Sequence, residues 1–191
     1  MQAGGVTRRV HQEDLCQALA IQPTRKYETD GGPTITDVAV VLAQYSTEPE
    51  VDVARFIEAN VFNWLIAGSD AHAKNYSVLH APGALRLAPL YDVISTLPYP
   101  QLAPVGMRLA MSVNGERAVD AITGNHWRAV ARAVDLPPDA LILRIRELAE
   151  RTLAVMEKRC GMAASDEATL AVTKRLTTPI ASHIAQCLRR L

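Results

Sequence analysis

The repeat of apolar residues changes along this chain, and this change is the strongest constraint on its fold. In most segments apolar residues recur three and four positions apart, which is the repeat of one α-helix face. In two stretches, residues 76–90 and 107–113, they recur every second position, which is the repeat of one β-strand face. The chain is therefore predicted to be a mainly α protein of the α+β class, with one or two short β-hairpins.

The longest helical repeat runs from Val51 to Ala67, and Gly68 follows it where a left-handed helix cap favours glycine. Thr34 is expected to cap a helix that continues to Gln44. Further helices are predicted over residues 13–20, from 125 to about 134, from 142 to near 161, and over 172–188, where Pro179 either kinks the helix or begins its second half. Residues 22–33 are predicted to form a loop.

Turn residues separate the two strands of each predicted hairpin. Pro82-Gly83 lies between the alternating residues 76–80 and 85–90, and Asn114-Gly115 follows the alternating residues 107–113. Pro-Gly is a turn signal, and Asn-Gly is a favoured two-residue hairpin turn. Because the predicted sheet is small, helices must form most of the core.

Length, charge and cysteine content limit the class of protein. The chain has 191 residues, the length of one domain, and its 20 basic residues balance its 20 acidic ones. General attraction to nucleic acid or to anionic membranes is therefore not expected, and no apolar run approaches the ~18–20 residues of a membrane span. The first residues lack the apolar stretch of a secretory signal, and the three scattered cysteines form no CxxC pair. A cytoplasmic protein is expected.

The densest group of polar, reactive residues lies where the longest predicted helix meets the first hairpin, in residues 68–75. Asp70 and Asn75 have the Asp-x-x-x-x-Asn spacing of protein-kinase-type phosphotransferases. In those enzymes the Asp accepts the proton of the attacking hydroxyl, and the Asn binds magnesium on the nucleotide phosphates. Asp92 is expected to reach the same ion, because it lies at the end of the predicted hairpin. Magnesium takes oxygen ligands and usually needs only one or two from the protein, so one carboxylate and one carboxamide suffice.

Two further side chains of this segment suit phosphoryl transfer. His72 can donate a hydrogen bond to the transferred phosphoryl group, and Lys74 can add positive charge there. Two other interpretations stay open. In one, residues 68–75 are a polar loop in which Asp70 caps a turn and Asn75 begins a strand. In the other, Asp70, His72 and Asp92 belong to a metal-dependent hydrolase.

Several ordered motifs give the chain a resemblance to one family. They are His11-Gln12-Glu13-Asp14-Leu15-Cys16-Gln17-Ala18-Leu19, Lys26-Tyr27-Glu28, Asp30-Gly31-Gly32-Pro33, Asn63-Trp64-Leu65-Ile66, Asp70-Ala71-His72-Ala73-Lys74-Asn75-Tyr76-Ser77, Pro89-Leu90-Tyr91-Asp92-Val93-Ile94-Ser95 and the weaker Leu109-Ala110-Met111-Ser112-Val113. With these motifs the chain resembles the HipA family of serine/threonine kinases, the toxins of HipBA-type toxin–antitoxin modules. The resemblance runs from about Val10 to the C-terminus.

The resemblance implies that residues 1–191 are a HipA-like C-terminal domain, the helical large lobe of a protein-kinase-like fold, of which residues 1–9 are expected to be flexible. It implies Asp70 as the catalytic base, Asn75 and Asp92 as magnesium ligands, and ATP as the phosphoryl donor. It also implies a helix-turn-helix antitoxin of HipB type as partner, with DNA contact only through that complex. The implied substrate is a translation-related protein such as an aminoacyl-tRNA synthetase.

One part of the family pattern is not found. A kinase site needs a glycine-rich loop over the phosphates and a lysine on a strand of the small lobe. The ten residues before His11 are too short to form that lobe, and the family's regulatory serine has no counterpart. The chain is therefore expected to be incomplete by itself and to bind ATP weakly at best. The alternative function is a binding module that docks an antitoxin or a separate small lobe and catalyses nothing.

Three other features are assigned to structure in preference to chemistry. Lys26-Tyr27-Glu28 is expected to shape its loop, with a contact at the rim of the active site as the less favoured role. Trp64 and Trp127 lie on apolar helix faces and are predicted to be core residues. The cysteines are predicted to be small buried side chains.

Overall fold

The computed structural model describes residues 9–99, 101, 106–163 and 166–191, together with the backbone of residues 2–3 and 6–7. These last residues form two short antiparallel strands, β1 (Gln2–Ala3) and β2 (Val6–Thr7). Residues 1, 4, 5 and 8 of the segment expected to be flexible, residues 1–9, lie outside the described residues. No helix in the described ranges is long and apolar enough to cross a membrane.

Helices dominate the described chain, so the prediction of a mainly α protein with short hairpins is confirmed. They are α1 (Leu15–Ala18), α2 (Ile35–Tyr45), α3 (Pro49–Ile66), α4 (Gly124–Ala133), α5 (Pro138–Met162) and α6 (Glu167–Arg189). Residues 172–188, where the sequence left two arrangements open, belong to the single helix α6 with Pro179 inside it. The predicted loop at residues 22–33 holds two short 3₁₀ turns, Pro23–Arg25 and Glu28–Asp30.

Helix α3 is the centre of the fold. Eleven of its 18 residues are buried, and it packs against α2, α5 and α6. Trp64 on α3 and Trp127 on α4 are both fully buried with ring centroids 5.7 Å apart, so their predicted place in the core is confirmed. Cys16 and Cys187 are buried as predicted, whereas Cys160 is only half-buried.

Both predicted hairpins are present. Strands β4 (Ser77–Ala81) and β5 (Ala84–Leu87) pair antiparallel around Gly83, which has a φ of 73°. Strands β6 (Arg108–Val113) and β7 (Glu116–Ala118) are joined by Asn114 and Gly115, whose φ values of 52° and 83° suit a hairpin turn with two left-handed residues.

The predicted helix over residues 13–20 is wrong at its N-terminal end. Residues His11–Asp14 form strand β3, which pairs with β4 and completes the order β3-β4-β5. Only Leu15–Ala18 are helical, because Asp14 caps α1 by accepting a hydrogen bond from the backbone N–H of Gln17 at 3.0 Å. The partner of β3 is more than 60 positions away in the chain, so local periodicity could not indicate it.

The left-handed residue after α3 is Ala67, with a φ of 50°, and not Gly68 as predicted. Gly68 is suited to its position for a steric reason, since a Cβ there would lie 2.4 Å from the Oδ1 of Asn63. The N–H groups of Ala67 and Gly68 bond back to the carbonyls of Trp64 and Asn63 and end the helix.

Candidate active site

The segment between α3 and β4, residues 68–75, presents the polar side chains singled out in the sequence. Its backbone is fixed by hydrogen bonds from the N–H of His72 to the carbonyl of Asp70 and from the N–H of Asn75 to the carbonyl of His72, both 2.9 Å. Ala73 also donates its N–H to the carbonyl of Lys26 at 3.2 Å. The segment is therefore held both within itself and against the loop at residues 23–33.

Asn75 and Asp92 are brought into direct contact. The side-chain amide of Asn75, which is 5% exposed, donates to the Oδ2 of Asp92 at 2.7 Å. Asp92 itself is exposed and has a φ of 54°, a left-handed conformation that Asp tolerates better than most residues. The contact places one carboxylate and one carboxamide side by side.

The segment that carries Asp92 is anchored on both sides. Before it, Ala88 donates its N–H to the carbonyl of Ser77 at 2.8 Å, and the Tyr91 hydroxyl donates to the carbonyl of Lys74 at 2.7 Å. After it, the hydroxyls of Ser95 and Thr96 donate to the carbonyls of Ile66 and Ala67 at 2.6 and 3.0 Å. These last two bonds satisfy carbonyls at the C-terminal end of α3.

Asp70 is also exposed, with 53% of its side chain accessible to solvent. Its Oδ1 accepts a hydrogen bond from the Tyr27 hydroxyl at 2.7 Å. This bond, together with burial and the charge of Asp70, raises the pKa of Tyr27 to about 12. Among the described residues, hydrogen bonds join Asn75 to Asp92 and Tyr27 to Asp70, and none joins the two pairs.

His72 lies beneath Asp70. Its Nε2 is 4.0 Å from the Oδ1 of Asp70, and its ring packs edge-on against Tyr27 at 5.0 Å. Burial, followed by the nearby charge of Lys26, lowers the pKa of His72, so its imidazole is neutral at pH 7. No described residue hydrogen-bonds its buried Nδ1.

Lys74 has a partner that the sequence did not indicate. Its ammonium lies 2.6 Å from the Oδ2 of Asp14, and this hydrogen bond raises the pKa of Lys74. The ion pair ties residues 68–75 to the start of α1. A contribution of Lys74 to the charge around a phosphoryl group stays a prediction.

The donor set of Asn75 and Asp92 suits a hard divalent cation such as magnesium. Both supply oxygen, and magnesium in phosphotransferases takes one or two protein oxygens, with phosphate and water completing its six ligands. Within the described ranges no group of three or more His, Cys, Asp or Glu side chains could hold a metal ion by itself. The two side chains fit a cation whose remaining ligands are phosphate oxygens and water.

The motif Lys26-Tyr27-Glu28 has both of the roles considered for it, although the sequence favours loop shape over a contact at the rim of the active site. Glu28 shapes the loop, because its carboxylate accepts hydrogen bonds from the N–H and hydroxyl of Ser112 on β6 at 2.5 and 2.7 Å. Tyr27, in contrast, contacts Asp70 directly. The available signal was the motif itself, a tyrosine between two charged residues in the loop that contains Gly31 and Gly32.

The model of the family described as the HipA-like C-terminal domain matches residues 2–156. Two Sinorhizobium fredii proteins, named "Putative kinase Y4mE" and "Putative kinase Y4dM", are 36% and 31% identical over 150 and 149 residues. Each alignment covers 78% of this chain, but 35% and 34% of those proteins.

The serine/threonine-protein kinase toxin HipA of Shewanella oneidensis is 29% identical over 154 residues, which are 75% of this chain and 35% of that protein. The chain thus spans about a third of the length of these relatives. A solved structure of the Shewanella oneidensis HipA, HipB and operator DNA complex matches 99% of this chain and 47% of its own chain, with a TM-score of 0.84 and 24% identity. This likeness shows that the two chains share a fold.

Proposed function

Since the chain belongs to the family of HipA-like C-terminal domains, we propose that it is the catalytic large lobe of a serine/threonine protein kinase that uses Mg-ATP. The observation that carries the proposal is the 2.7 Å contact between Asn75 and Asp92. These residues come from segments separated by a whole hairpin, and they supply the oxygen ligands that magnesium requires in this class of enzyme.

In the proposed reaction, Asn75 and Asp92 would hold the magnesium ion, which when bound would neutralise the charge that develops on the transferred phosphoryl group. Asp70 accepts the proton of a serine or threonine hydroxyl whose oxygen forms the new bond to the γ-phosphorus, while the bond from that phosphorus to the β,γ-bridging oxygen breaks and ADP leaves. His72, neutral and beside Asp70, donates a hydrogen bond to the phosphoryl oxygens, and Lys74 adds positive charge near them.

The wider role that we propose is that of a cytoplasmic toxin kinase held by an antitoxin. The shared fold with HipA in a complex with HipB and operator DNA supports a HipB-type helix-turn-helix protein as partner. DNA would then be contacted through that complex only. A translation-related protein such as an aminoacyl-tRNA synthetase is the proposed substrate. Because the chain spans about a third of its relatives, activity is expected to need elements that the other two thirds supply.

A binding module that catalyses nothing is the second candidate. The segment around Asp92 exposes three large apolar side chains, Leu90, Val93 and Ile94, which are 44%, 42% and 54% exposed. Apolar groups concentrated beside a polar site indicate a surface that another protein segment covers. This candidate places the docking function, and not phosphoryl transfer, at the same face of the molecule.

Calorimetric titration of Mg-ATP into the purified chain distinguishes the two candidates. We expect weak binding that is reduced at least about tenfold by Asp92→Asn, since this variant removes the charged cation ligand and leaves its shape unchanged. Asp120→Asn, which changes an exposed aspartate without a described hydrogen bond, is the matched control. Absence of binding by the folded chain, or equal binding by Asp92→Asn, would favour the binding module.

A further inference from the structure

The loop that carries Tyr27 is fixed immediately before and after that residue. Before it, the carbonyl of Lys26 accepts the N–H of Ala73. After it, Glu28 accepts two hydrogen bonds from Ser112. The carbonyl of Tyr27 itself accepts the N–H groups of Asp30 and Gly32 at 3.0 and 2.8 Å.

Glycine at position 32 is part of this arrangement. A Cβ on Gly32 would lie 2.5 Å from the carbonyl oxygen of Arg25 and 2.7 Å from that of Tyr27, so the loop closes on itself only with glycine there. Arg25 fastens the same turn by donating from Nε to the carbonyl of Asp30 at 3.0 Å. The backbone that carries the phenol of Tyr27 is therefore fixed by hydrogen bonds on both sides.

The contact with Asp70 is one-sided. The Tyr27 hydroxyl bonds to Oδ1, and the Nε2 of His72 approaches the same oxygen. No described residue donates a hydrogen bond to Oδ2 of Asp70, and the side chain is half exposed. One carboxylate oxygen is thus held by the protein, while the other is open to an incoming group.

We propose that Tyr27 is a positioning residue that holds Oδ1 of Asp70, so that Oδ2 is the oxygen that accepts the proton of the acceptor hydroxyl. This inference rests on the proposed kinase function and assigns the atom at which the proton is taken. A carboxylate on a flexible side chain has several rotamers, and a fixed donor on one oxygen selects the orientation in which the other faces the acceptor. The phenol stays protonated throughout, because it donates to Asp70 and takes no part in the transfer.

The contact can be tested without any enzymatic activity. In the chain labelled with ¹³Cζ-tyrosine, Tyr27→Phe identifies the Tyr27 signal among the five tyrosines. Asp70→Asn removes the negative charge and replaces the carboxylate with a carboxamide, which is a weaker acceptor, so the pKa of Tyr27 is expected to fall from about 12 toward the ordinary value of 10. At pH 11 the Tyr27 signal should then be mainly that of the phenolate in Asp70→Asn and mainly that of the phenol in the unmodified chain.

The other charged or ionisable groups near this phenol are Lys26, Asp30 and His72. They are unchanged in Asp70→Asn, so a shift of the signal reports on Asp70. The signal of the exposed Tyr45 is the internal control and should not differ between the two proteins. Circular dichroism at pH 11 checks that both proteins stay folded. An unaltered Tyr27 signal in Asp70→Asn would overturn the proposal.

The consequence for catalysis is measured on the complete gene product. Tyr27→Phe keeps the ring that packs against His72 and removes only the hydroxyl. We expect kcat to fall about tenfold, a part of the roughly 10²- to 10⁴-fold that a general base contributes, while the KM for ATP is unchanged. Tyr45→Phe is the matched control and should keep both values.

The outcomes separate this proposal from the function on which it rests. If the unmodified protein transfers no phosphate to any protein, the kinase function fails and the positioning role fails with it. If the unmodified protein is active and Tyr27→Phe is equally active, the kinase function stands and Tyr27 is not a positioning residue. A rise in the KM for ATP at constant kcat would instead assign Tyr27 to nucleotide binding and would also overturn the proposal.

Discussion

Asp52 is a fully buried carboxylate that joins three elements of the fold. From α3 it accepts hydrogen bonds from Arg86 and from the N–H of Leu87 on β5, and from the hydroxyl of Ser46 at the end of α2. Burial alone would raise its pKa, but these hydrogen bonds outweigh burial and lower the pKa of Asp52 below its ordinary value. The charge is therefore retained inside the protein.

Asp52→Ala is expected to lower the free energy of unfolding by about 3–5 kcal/mol, because it leaves the inner side of Arg86 without its partner. The measurement is urea unfolding at pH 7. Glu48→Ala is the matched control, since it removes the other carboxylate bound to Arg86, which is 55% exposed, and should change the free energy of unfolding by less than about 1 kcal/mol. Similar losses in both variants would contradict the role of the buried charge.

The same contacts predict how the free energy of unfolding changes with pH. Because the folded-state pKa of Asp52 is lowered, its stabilisation is present at neutral pH and is lost as the pH falls below about 4 toward that folded-state value. Asp52→Ala should lack this part of the acid destabilisation.

At the scale of residues, the sequence predicted what depends on spacing and missed what depends on distant contacts. Asn75 and Asp92 were chosen from a motif and an acidic residue after a hairpin, and they lie in contact. The local pattern places Tyr27 in a loop but cannot indicate its partner, Asp70, because the two residues are 43 positions apart. The partner of Lys74, Asp14, is 60 positions away and belongs to a segment that was predicted to be helical.

Between elements, His183 joins α6 to α3. Its Nε2 donates to the carbonyl of Trp64 at 3.0 Å, and the side chain is buried beside Cys187. Burial lowers the pKa of His183, so the neutral form is the one that packs. Protonation is therefore easier in the unfolded chain than in the folded protein.

The free energy of unfolding is expected to decrease as the pH falls below 6.5 toward the folded-state pKa of His183, because the unfolded state binds the proton first. His183→Gln should reduce this decrease and leave the part that comes from His72, whose pKa is lowered in the same way. Urea unfolding at pH 7.5 and pH 5.5 measures the difference. Cys187→Ala, which keeps the bond to Trp64, should retain the full pH dependence.

The helices could be predicted from sequence because each has its own apolar repeat, and the hairpins because their turn residues are local. Strand β3 could not be predicted, because its residues are exposed or half-buried and show no apolar repeat. Its partner β4 is also more than 60 positions away in the chain. The predicted end of α3 is close to the observed one, but the left-handed conformation was assigned to the wrong residue. Ala67 takes the left-handed conformation, and Gly68 is there for contact with Asn63.

At the scale of the molecule, buried residues from α1 to α6 and from β4 to β6 form one hydrophobic cluster. Trp64 and Trp127 both lie within it. A continuous core of this kind is typical of a chain that unfolds as one unit. That the chain is a single domain stays a prediction.

Thermal unfolding followed by tryptophan fluorescence and by far-ultraviolet circular dichroism should therefore give one transition with the same midpoint. Trp127→Phe leaves Trp64 as the only tryptophan, and the two probes should still agree at its lower midpoint. A helical signal that outlasts the fluorescence change would show instead that α5 and α6 unfold as a separate unit.

The two arms of the candidate site are fastened to one helix end. Residues 68–75 leave α3 directly, and the segment after Asp92 returns to it through the hydroxyls of Ser95 and Thr96. A displacement of the C-terminal turn of α3 would therefore reach Asp70, Asn75 and Asp92 at the same time. If these residues have the roles proposed above, loosening that turn should weaken proton transfer and metal affinity in parallel, whereas a change within one arm should affect mainly the residues of that arm.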